Sequence, residues 1–447
     1  MVHKAWTRDW FAGDPTLAAL FGPPPIPETL EARARSLPAQ PAGLEVVRWD
    51  GEPPPEDCLV VVAGQQPVLL GGPGLVIHKC VSAIALAREL SAQINRPVRP
   101  VFLLATQDHD TSEVDHLDSI DISNGSIHRS RASLTPKHEM FSRCGWDTSQ
   151  VKEAFLAMNA EAVSFKECLN SLSGSDRQPT SEHVERLLLE VFCGTGLGVV
   201  LAHELPVAAS DPILRRALSD AEGARASLRH GAASLERAGL SAAFDATDSR
   251  PLVLRSREGR RQRLTAPQAD EALADLAKHP ADYSPHAAVR PLVQAAALPV
   301  VAQVVGPSEL VYLGQARTLH EWAGVPAPVL VPRLEATRVE THELDRAQEL
   351  LERRAAHGGL GDPELERLAE EAEQATRALT AAVRARAPGL EARTRRFERS
   401  HGRHLRRWIE APEHHRLGRD ALDQRVRPRG RSQDAVLAWL PDAVRYH

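Results

Sequence analysis

The chain has 447 residues, a formal net charge of -5 at pH 7 and an apolar fraction of 43%. This length is too great for one ordinary hydrophobic core and predicts about two or three subdomains, while the mild negative charge argues against nonspecific nucleic-acid binding. No apolar run approaches the roughly 20 residues that a membrane span needs, and the first residues lack the apolar core of a signal peptide. We therefore expect a globular, cytoplasmic protein with no nucleic-acid or membrane partner.

The first predicted unit, Cys58 to His116, combines two strands, a glycine-rich turn and a helix. Cys58 to Ala63 is a short Val-rich run typical of a strand buried on both faces, and Val98 to Ala105 is a second such run. Between them, apolar residues recur at helical spacing from Leu75 onwards. Because ligands of open α/β sheets bind at the carboxyl ends of strands, we expect the polar residues that follow both strands to meet in one crevice.

The turn before the predicted helix favours an anionic ligand. Its glycines, with Gly72 and Pro73 among them, allow close approach of the backbone just ahead of a helix N-terminus, whose N–H groups attract anions. His78 and Lys79 stand in the first turns of the helix, where a positive charge is unfavourable unless a ligand offsets it. We therefore predict a bound phosphate near Lys79, and the alternative is that Lys79 is a solvated surface charge.

A polar cluster, Asp108 to His116, follows the second strand. Asp110 and Glu113 fit a helix N-cap with its acidic partner, which is a structural role. Glu113 and His116 are spaced by one helical turn, so both can face the crevice beside Asp108 and His109. Imidazole titrates near neutral pH, which favours substrate contacts or acid–base chemistry for the two histidines. No metal site is predicted, because the cluster lacks a compact histidine pair and the five cysteines of the chain show no C-x-x-C spacing.

Apolar runs that fit further buried strands are Leu197–Ala202, Val300–Val305 and Val329–Val331. A helical pattern over Glu309–Trp322 separates the last two. Alternation of strands and helices predicts an α/β fold whose parallel sheet carries helices on its faces. Residues 118–180 and 222–283 have weaker, more polar patterning, and we predict that they are insertions over the sheet edge.

Residues 362–382 carry a heptad pattern. A helix start at Asp362 and Pro363 is followed by apolar residues spaced alternately three and four positions apart. The turn at Gly358 and Gly359 would join this helix to the one before it. The pattern predicts an antiparallel helical hairpin within the chain.

Taken together, these motifs resemble the bacillithiol-biosynthesis cysteine-adding enzymes, the BshC family. The resemblance is carried by GQQ at residues 64–66, GPGLVIHK ending at Lys79, DHDTSEVDH from Asp108, and later by SPHAAVRPLVQ, LPVVAQVVGPSELVYLGQ, PAPVLVPRLEATRVE and RPRGRSQDAVLAWL. The segments occur in one order along nearly the whole chain. The resemblance implies a Rossmann-like core similar to class I nucleotidyltransferases, with helical insertions and a C-terminal antiparallel coiled-coil arm that forms a homodimer.

On this basis the chain divides into seven predicted segments. They are 1–117 (first half of the core with an N-terminal segment), 118–190 (first insertion), 191–221 (return to the core), 222–283 (second insertion), 284–338 (second half of the core), 339–410 (coiled-coil arm) and 411–447 (a C-terminal segment packing back on the core). The predicted crevice therefore lies between two halves of a split core.

The resemblance also implies an activity, which is the ligation of L-cysteine to the amine of glucosaminyl-malate. Amide formation requires an activated carboxylate, so ATP is the expected cosubstrate, with Mg²⁺ accompanying the nucleotide. The residues expected to be catalytic are His109, Asp108, Lys79 and His78. The residues expected to bind nucleotide or substrate are Gly64, Gln65, Gln66, Gly72, Pro73, Asp110, Glu113, His116, Arg290, Gln294, Glu309, Tyr312 and Arg333.

Several positions differ from the family pattern, among them Gly74 to His78 and Ala295. Two alternatives therefore stay open: another nucleotide-dependent ligase or adenylyltransferase on the same scaffold, and a noncatalytic paralogue that acts as a dimeric scaffold. For the second-half residues from Arg290 to Arg333, the alternative to a ligand contact is an ordinary ion pair or a helix-start contact.

Overall fold

The computed structural model describes residues 9–37, 43–72, 74–120, 127–156, 177–245 and 247–333. Nearly all of these belong to one compact unit. Pro73, the predicted arm over residues 339–410, its proposed dimer contact and the segment 411–447 lie outside the described residues. The predicted segment boundaries therefore stay predictions.

A six-stranded sheet forms the centre of this unit. In spatial order its strands are β1 (Arg48–Trp49), β9 (Gly198–Leu201), β3 (Val98–Leu104), β2 (Leu59–Gln65), β13 (Val300–Val305) and β14 (Val329–Pro332). All neighbours pair in parallel except β1, which is antiparallel to β9. The predicted, mainly parallel α/β sheet is confirmed. Counted along the chain, the parallel strands lie in the order third, second, first, fourth, fifth, so the winding reverses between β2 and β13.

Helices pack on both faces of the sheet. In chain order they are α1 (Pro15–Phe21), α2 (Pro27–Ser36), α3 (Leu75–Ile94), α4 (Thr148–Leu156), α5 (Thr180–Val191), α6 (Val207–Ser219), α7 (Ala221–Arg237), α8 (Ala269–Leu276), α9 (Arg290–Ala297) and α10 (Pro307–Ala323). Within β2, Val61 and Ala63 enter one hydrophobic core, while Val60 and Val62 enter the core on the opposite face. This alternation explains why the strand is apolar throughout.

The helix α3 carries the chain from the end of β2 back to the start of β3. Its inner face buries Ile77, Cys80 and Ala87 against the sheet. The helix ends at Asn95, which adopts the left-handed conformation with φ 50° that commonly stops a helix. The predicted strand, turn, helix and strand unit is confirmed, and it places the ends of β2 and β3 side by side.

Three small sheets accompany the central one. One pairs β4 (His116–Ile120) with β5 (Ile127–Arg131). In the other two, which are antiparallel, β7 (Gly145–Asp147) lies between β6 (Leu134–Thr135) and β8 (Arg177–Pro179), and β10 (Val253–Arg257) lies between β11 (Arg260–Arg263) and β12 (Tyr283–Pro285). Glu258 and Gly259 join β10 to β11, and both have positive φ, as a tight two-residue hairpin requires. Among the described residues, no helix is both long enough and apolar enough to cross a membrane.

Candidate functional site

The reversal of winding brings the two halves of the sheet together at their carboxyl edge. Gln65 and Gln66 stand at the end of β2, Asp108 follows β3, and Arg333 follows β14. Direct contacts then join the halves, because the Lys79 ammonium from α3 lies 2.7 Å from the Glu309 carboxylate of α10. The predicted meeting of residues from both halves is confirmed for Lys79 with Glu309 and for Asp108 with Arg290, while a ligand crevice at this edge stays a prediction.

Lys79 is almost completely buried, with 1% of its surface exposed. Its ammonium donates to the Gly64 carbonyl at 2.6 Å and to Gln65 Oε1 at 2.8 Å, in addition to pairing with Glu309. The alternative that Lys79 is a solvated surface charge is therefore wrong. Since an ammonium has three protons, these partners satisfy all of them. Glu309 also accepts the Gly306 N–H at 2.7 Å, so it makes both an ion pair and a helix-start contact.

Gly64 is a position where only glycine fits. A Cβ at this residue would lie 2.9 Å from the carbonyl oxygen of Leu103 in the neighbouring strand. Gly72 is similarly restricted, since its φ is +82° and a Cβ would come within 2.8 Å of Val68. At both glycines the crowding groups belong to the protein itself, so the predicted approach of the turn at Gly72 to an anionic ligand stays a prediction.

Asp108 is the centre of the polar cluster. Its Oδ2 accepts from Arg290 at 2.8 Å and from the Gln66 amide at 3.3 Å, and its Oδ1 accepts the backbone N–H of His109 at 2.8 Å. Burial alone would raise the pKa of Asp108, but the nearby charges of Arg290 and Arg261 hold it well below its usual range. Asp108 is therefore a carboxylate at neutral pH, and it ties together three segments that are distant in sequence.

Arg261 is a member of this cluster that the sequence reasoning missed. It lies on β11, inside the segment predicted to be a peripheral insertion, and its side chain is 2% exposed. The guanidinium donates to Ser284 Oγ and to the Pro285 carbonyl, each at 2.8 Å, and its Nη1 lies 2.8 Å from His109 Nδ1. The Glu258-Gly259 pair could have indicated a hairpin turn, but the strand after it, RRQR, is polar throughout and does not show that Arg261 faces inward.

The acidic residues after Asp108 take different roles. Asp110 accepts from the Ser112 N–H at 3.2 Å and hydroxyl at 2.6 Å, which caps a short 3-10 helix, Thr111–Glu113, so the predicted N-cap is confirmed. Glu113 instead accepts from the Gln66 side chain. Burial raises the pKa of Glu113, and the nearby Asp110 and Asp108 add to the rise against the lowering effect of Gln66.

His116 does not share a helical face with Glu113, so that expectation is wrong. The 3-10 helix ends at Glu113, and His116 instead begins β4. Its Nδ1 lies 2.9 Å from Asp115, which also accepts from Arg131 at 2.8 Å. The described contacts of His116 are therefore with this separate ion pair. The helical spacing failed because the chain switches to an extended conformation between the two residues.

His78 and Arg333 form a second polar pair near the start of α3. Arg333 Nη1 lies 3.4 Å from His78 Nδ1, and Arg333 is buried just after β14. Burial, assisted by the charge of Arg333, lowers the pKa of His78 to about 4. His78 is thus neutral at pH 7, and Arg333 is the cation of the pair. The N-cap of α3, Gly74, makes no side-chain cap hydrogen bond.

Gln294 and Tyr312 flank the cluster. Gln294 is buried, and its amide lies 3.4 Å from the amide oxygen of Gln303, which is in the middle of β13 rather than at its end. The ring of Tyr312 contacts that of Phe244, with 5.9 Å between centroids. Burial raises the pKa of Tyr312, and the charge of Glu309 raises it further. Among the described residues, no group of three or more His, Cys, Asp or Glu is arranged to hold a metal ion.

The chain is similar to known proteins over more than half of its length. Residues 54–334 match the family model described as "Bacillithiol biosynthesis BshC, N-terminal Rossmann-like domain". Relatives named "Putative cysteine ligase BshC" include that of Symbiobacterium thermophilum, which is 30% identical over 385 aligned residues; the match covers 73% of this chain and 67% of that protein.

Two further relatives with the same name come from Bacillus licheniformis and Staphylococcus carnosus. The first is 28% identical over 313 residues, covering 64% of this chain and 56% of the relative. The second is 27% identical over 314 residues, covering 66% of this chain and 58% of the relative. The match with these two thus spans somewhat more than half of their length.

Proposed function

The chain belongs to the bacillithiol-biosynthesis BshC family, with a Rossmann-like domain over residues 54–334, and on that premise we propose that it is a ligase that joins L-cysteine to the amine of glucosaminyl-malate. This reaction would be the last step of bacillithiol biosynthesis. We place the reaction in the crevice at the carboxyl edge of the central sheet, and the cytoplasm is the compartment we propose.

The observation that carries this proposal is the convergence of motifs on Asp108. Gln66 from the first motif, His109 beside Asp108 and Arg290 from the second half of the chain all contact this carboxylate. Arg290 Nε is also buried, and it has no hydrogen-bond partner among the described residues. Ion pairs that fix a carboxylate and an arginine at a strand edge are well suited to orienting a small polar substrate.

The start of α3 is the part of the crevice that fits a nucleotide phosphate. Its first N–H groups have no side-chain cap, and Arg333 supplies a positive charge near His78. Lys79 is a poorer candidate for phosphate than the sequence alone indicated, because its ammonium is already bound by three oxygens of the protein. We therefore assign Lys79 to joining the two halves of the site and Arg333 to anion binding.

ATP would activate the cysteine carboxylate by linking one of its oxygens to a phosphorus atom, with Mg²⁺ accompanying the nucleotide. That oxygen would then leave with the phosphorus group when the acceptor amine forms the amide. The acceptor amine must lose a proton when the amide forms, and Glu113 is the proposed base because its pKa is raised and it lies beside Gln66. His109, with its side chain 35% exposed, is proposed to stabilise the negative charge that develops at the reacting group. Asp108 and Arg290 would hold the substrates in place. A homodimer through the arm remains part of the proposal.

The proposal is tested by incubating the full chain with cysteine, ATP and glucosaminyl-malate and measuring the amide product by mass spectrometry. We expect product, and we expect Arg290→Met to lower kcat/KM by about 100-fold, because Asp108 loses its closest cationic partner. The matched control is Arg215→Met, which removes an arginine paired with Asp211 at 2.6 Å within one helix and should leave the rate within about twofold.

Absence of product, under conditions where a family member is active, would contradict the proposed substrates. Calorimetric titration with ATP then separates the two alternatives. Saturable binding that Arg333→Met abolishes favours another nucleotide-dependent ligase or adenylyltransferase. Absence of binding favours a noncatalytic scaffold.

A further inference from the structure

We infer that Arg261 is a positioning residue that fixes His109 as the tautomer with the proton on Nε2, so that the ring presents an N–H donor. The inference rests on the proposed function only for the use of this donor in the reaction. The tautomer itself follows from the contacts of Arg261. This residue lies outside the glycine-rich turn and the Asp108–His116 cluster that first indicated the site.

Arg261 can only donate to the His109 ring. A guanidinium has five N–H donors and no acceptor. Its Nη1 lies 2.8 Å from His109 Nδ1, which is hydrogen-bond distance. This contact is a hydrogen bond only if Nδ1 has a free lone pair, so Nδ1 carries no proton. A neutral imidazole must then carry its proton on Nε2.

The contacts of Arg261 with Ser284 and Pro285 prevent it from turning away from the ring. Its Nε and Nη2 donate to Ser284 Oγ and to the Pro285 carbonyl, each at 2.8 Å. The side chain is 2% exposed, so no water is available to replace these partners on a swivelled guanidinium. Burial lowers the pKa of Arg261 to about 9, with Arg290 adding to the effect, which still leaves it protonated at neutral pH.

Asp108 competes with Arg261 for the Nδ1 atom of His109. Asp108 Oδ1 lies 3.5 Å from His109 Nδ1 and would favour the opposite tautomer, with a proton on Nδ1. A proton on Nδ1 would face an N–H group of Arg261. His109 Nδ1 therefore cannot donate to Asp108 and accept from Arg261 at the same time. The shorter contact is with Arg261, while Asp108 Oδ1 already accepts the backbone N–H of His109 at 2.8 Å. Arg261 therefore decides the tautomer.

His109 and Glu113 therefore have different proposed roles in the cluster. A histidine with its lone pair on Nδ1 engaged by Arg261 cannot act as a base through Nε2, because Nε2 already carries a proton. It can donate a hydrogen bond to an oxyanion or to a transferring group. This agrees with Glu113 rather than His109 as the proposed base.

The direct test is a long-range ¹H–¹⁵N spectrum of the full chain labelled with [¹⁵N]histidine at pH 7.5, with the His109 signals assigned from their loss in His109→Gln. We expect the unprotonated nitrogen pattern at Nδ1 and the protonated pattern at Nε2. A proton on Nδ1, or a doubly protonated ring, in the unaltered protein would overturn the inference. This measurement needs no substrate, so it stands even if the proposed ligase activity is not found.

Two variants extend the test. Arg261→Met should release Nδ1 to donate to Asp108, which moves the His109 proton from Nε2 to Nδ1. Arg261→Lys, which keeps a donor, should retain the original tautomer at least in part. The control is Arg263→Met, since Arg263 lies on the same strand and contacts His286 Nε2 at 3.4 Å; it should leave the His109 spectrum unchanged. An unchanged spectrum in a folded Arg261→Met protein would refute the positioning role.

Where product formation is measurable, the same variants separate positioning from general damage. Arg261→Met should lower kcat by about 100-fold while KM changes by no more than about twofold. The reason is that the variant loses the His109 Nε2–H donor, which acts mainly on the transition state. Partial recovery in Arg261→Lys is expected. A rise in KM with unchanged kcat would instead mean that Arg261 serves substrate binding.

Discussion

Replacement of Lys79 by methionine tests the claim that a buried ion pair joins the two halves of the site. Methionine keeps the length and the apolar packing of the lysine stem, so the substitution removes the ammonium without opening a large cavity. The Gly64 carbonyl, the Gln65 amide oxygen and the Glu309 carboxylate then lose their shared donor.

The expected loss is about 3 kcal/mol in the free energy of unfolding. Breaking a buried ion pair by removal of one partner costs about 3–5 kcal/mol. We take the lower end of this range because the Glu309 side chain is 21% exposed and keeps the Gly306 N–H, so it can be partly rehydrated. The variant Glu309→Gln should be less harmful, since its amide oxygen can still accept from Lys79.

The measurement is equilibrium urea unfolding followed by circular dichroism, with the shift of the midpoint converted to free energy at a common slope. A double-mutant cycle of Lys79→Met and Glu309→Gln isolates the pair, and we expect a coupling of at least about 1 kcal/mol. The partly exposed pair of Arg215 and Asp211 is the control, because Arg215→Met should cost less than about 1 kcal/mol.

The reasoning is refuted if Lys79→Met unfolds at the same urea concentration as the unaltered chain. Loss of ATP binding together with unchanged stability would point the other way, to an ammonium that leaves Glu309 and serves a phosphate. A structural ion pair predicts that Lys79→Met lowers the stability, whereas a phosphate-binding role predicts that it abolishes ATP binding and leaves the stability unchanged.

Two further outcomes follow from single contacts. Gly64→Ala should lose about 1–3 kcal/mol, because its Cβ would meet the Leu103 carbonyl oxygen at 2.9 Å; unchanged thermal unfolding would contradict this close approach. Burial and the charge of Arg263 lower the pKa of His286 to about 3. Below the ordinary histidine pKa of about 6.5, only the unfolded chain binds this proton. The free energy of unfolding therefore decreases as the pH is lowered, by up to about 1.4 kcal/mol per pH unit. His286→Gln should flatten that slope in urea titrations at pH 5 to 7, and an equal slope would exclude His286 as its source.

Much of the fold was predictable because the signals are local. The Val-rich run before Gly64 indicated a strand with both faces covered, and its residues do alternate between two cores. The crevice was predictable for the same reason, since polar residues after parallel strands necessarily share one edge. His116 shows the limit of this reasoning, because helical spacing was applied across a point where the chain becomes extended.

The sequence by itself determined the family, the parallel sheet, and the placement of Gln66, Asp108 and Arg290 near one another. It could not determine what each charge binds. Arg261 meets His109 across 152 residues and Arg290 meets Asp108 across 182 residues, and each partner is chosen by packing and burial at a point where distant elements touch. Strand and helix patterns are fixed by neighbours a few residues away, whereas the state of an ionisable side chain depends on every charge within a few ångströms, and only the tertiary structure brings those charges together.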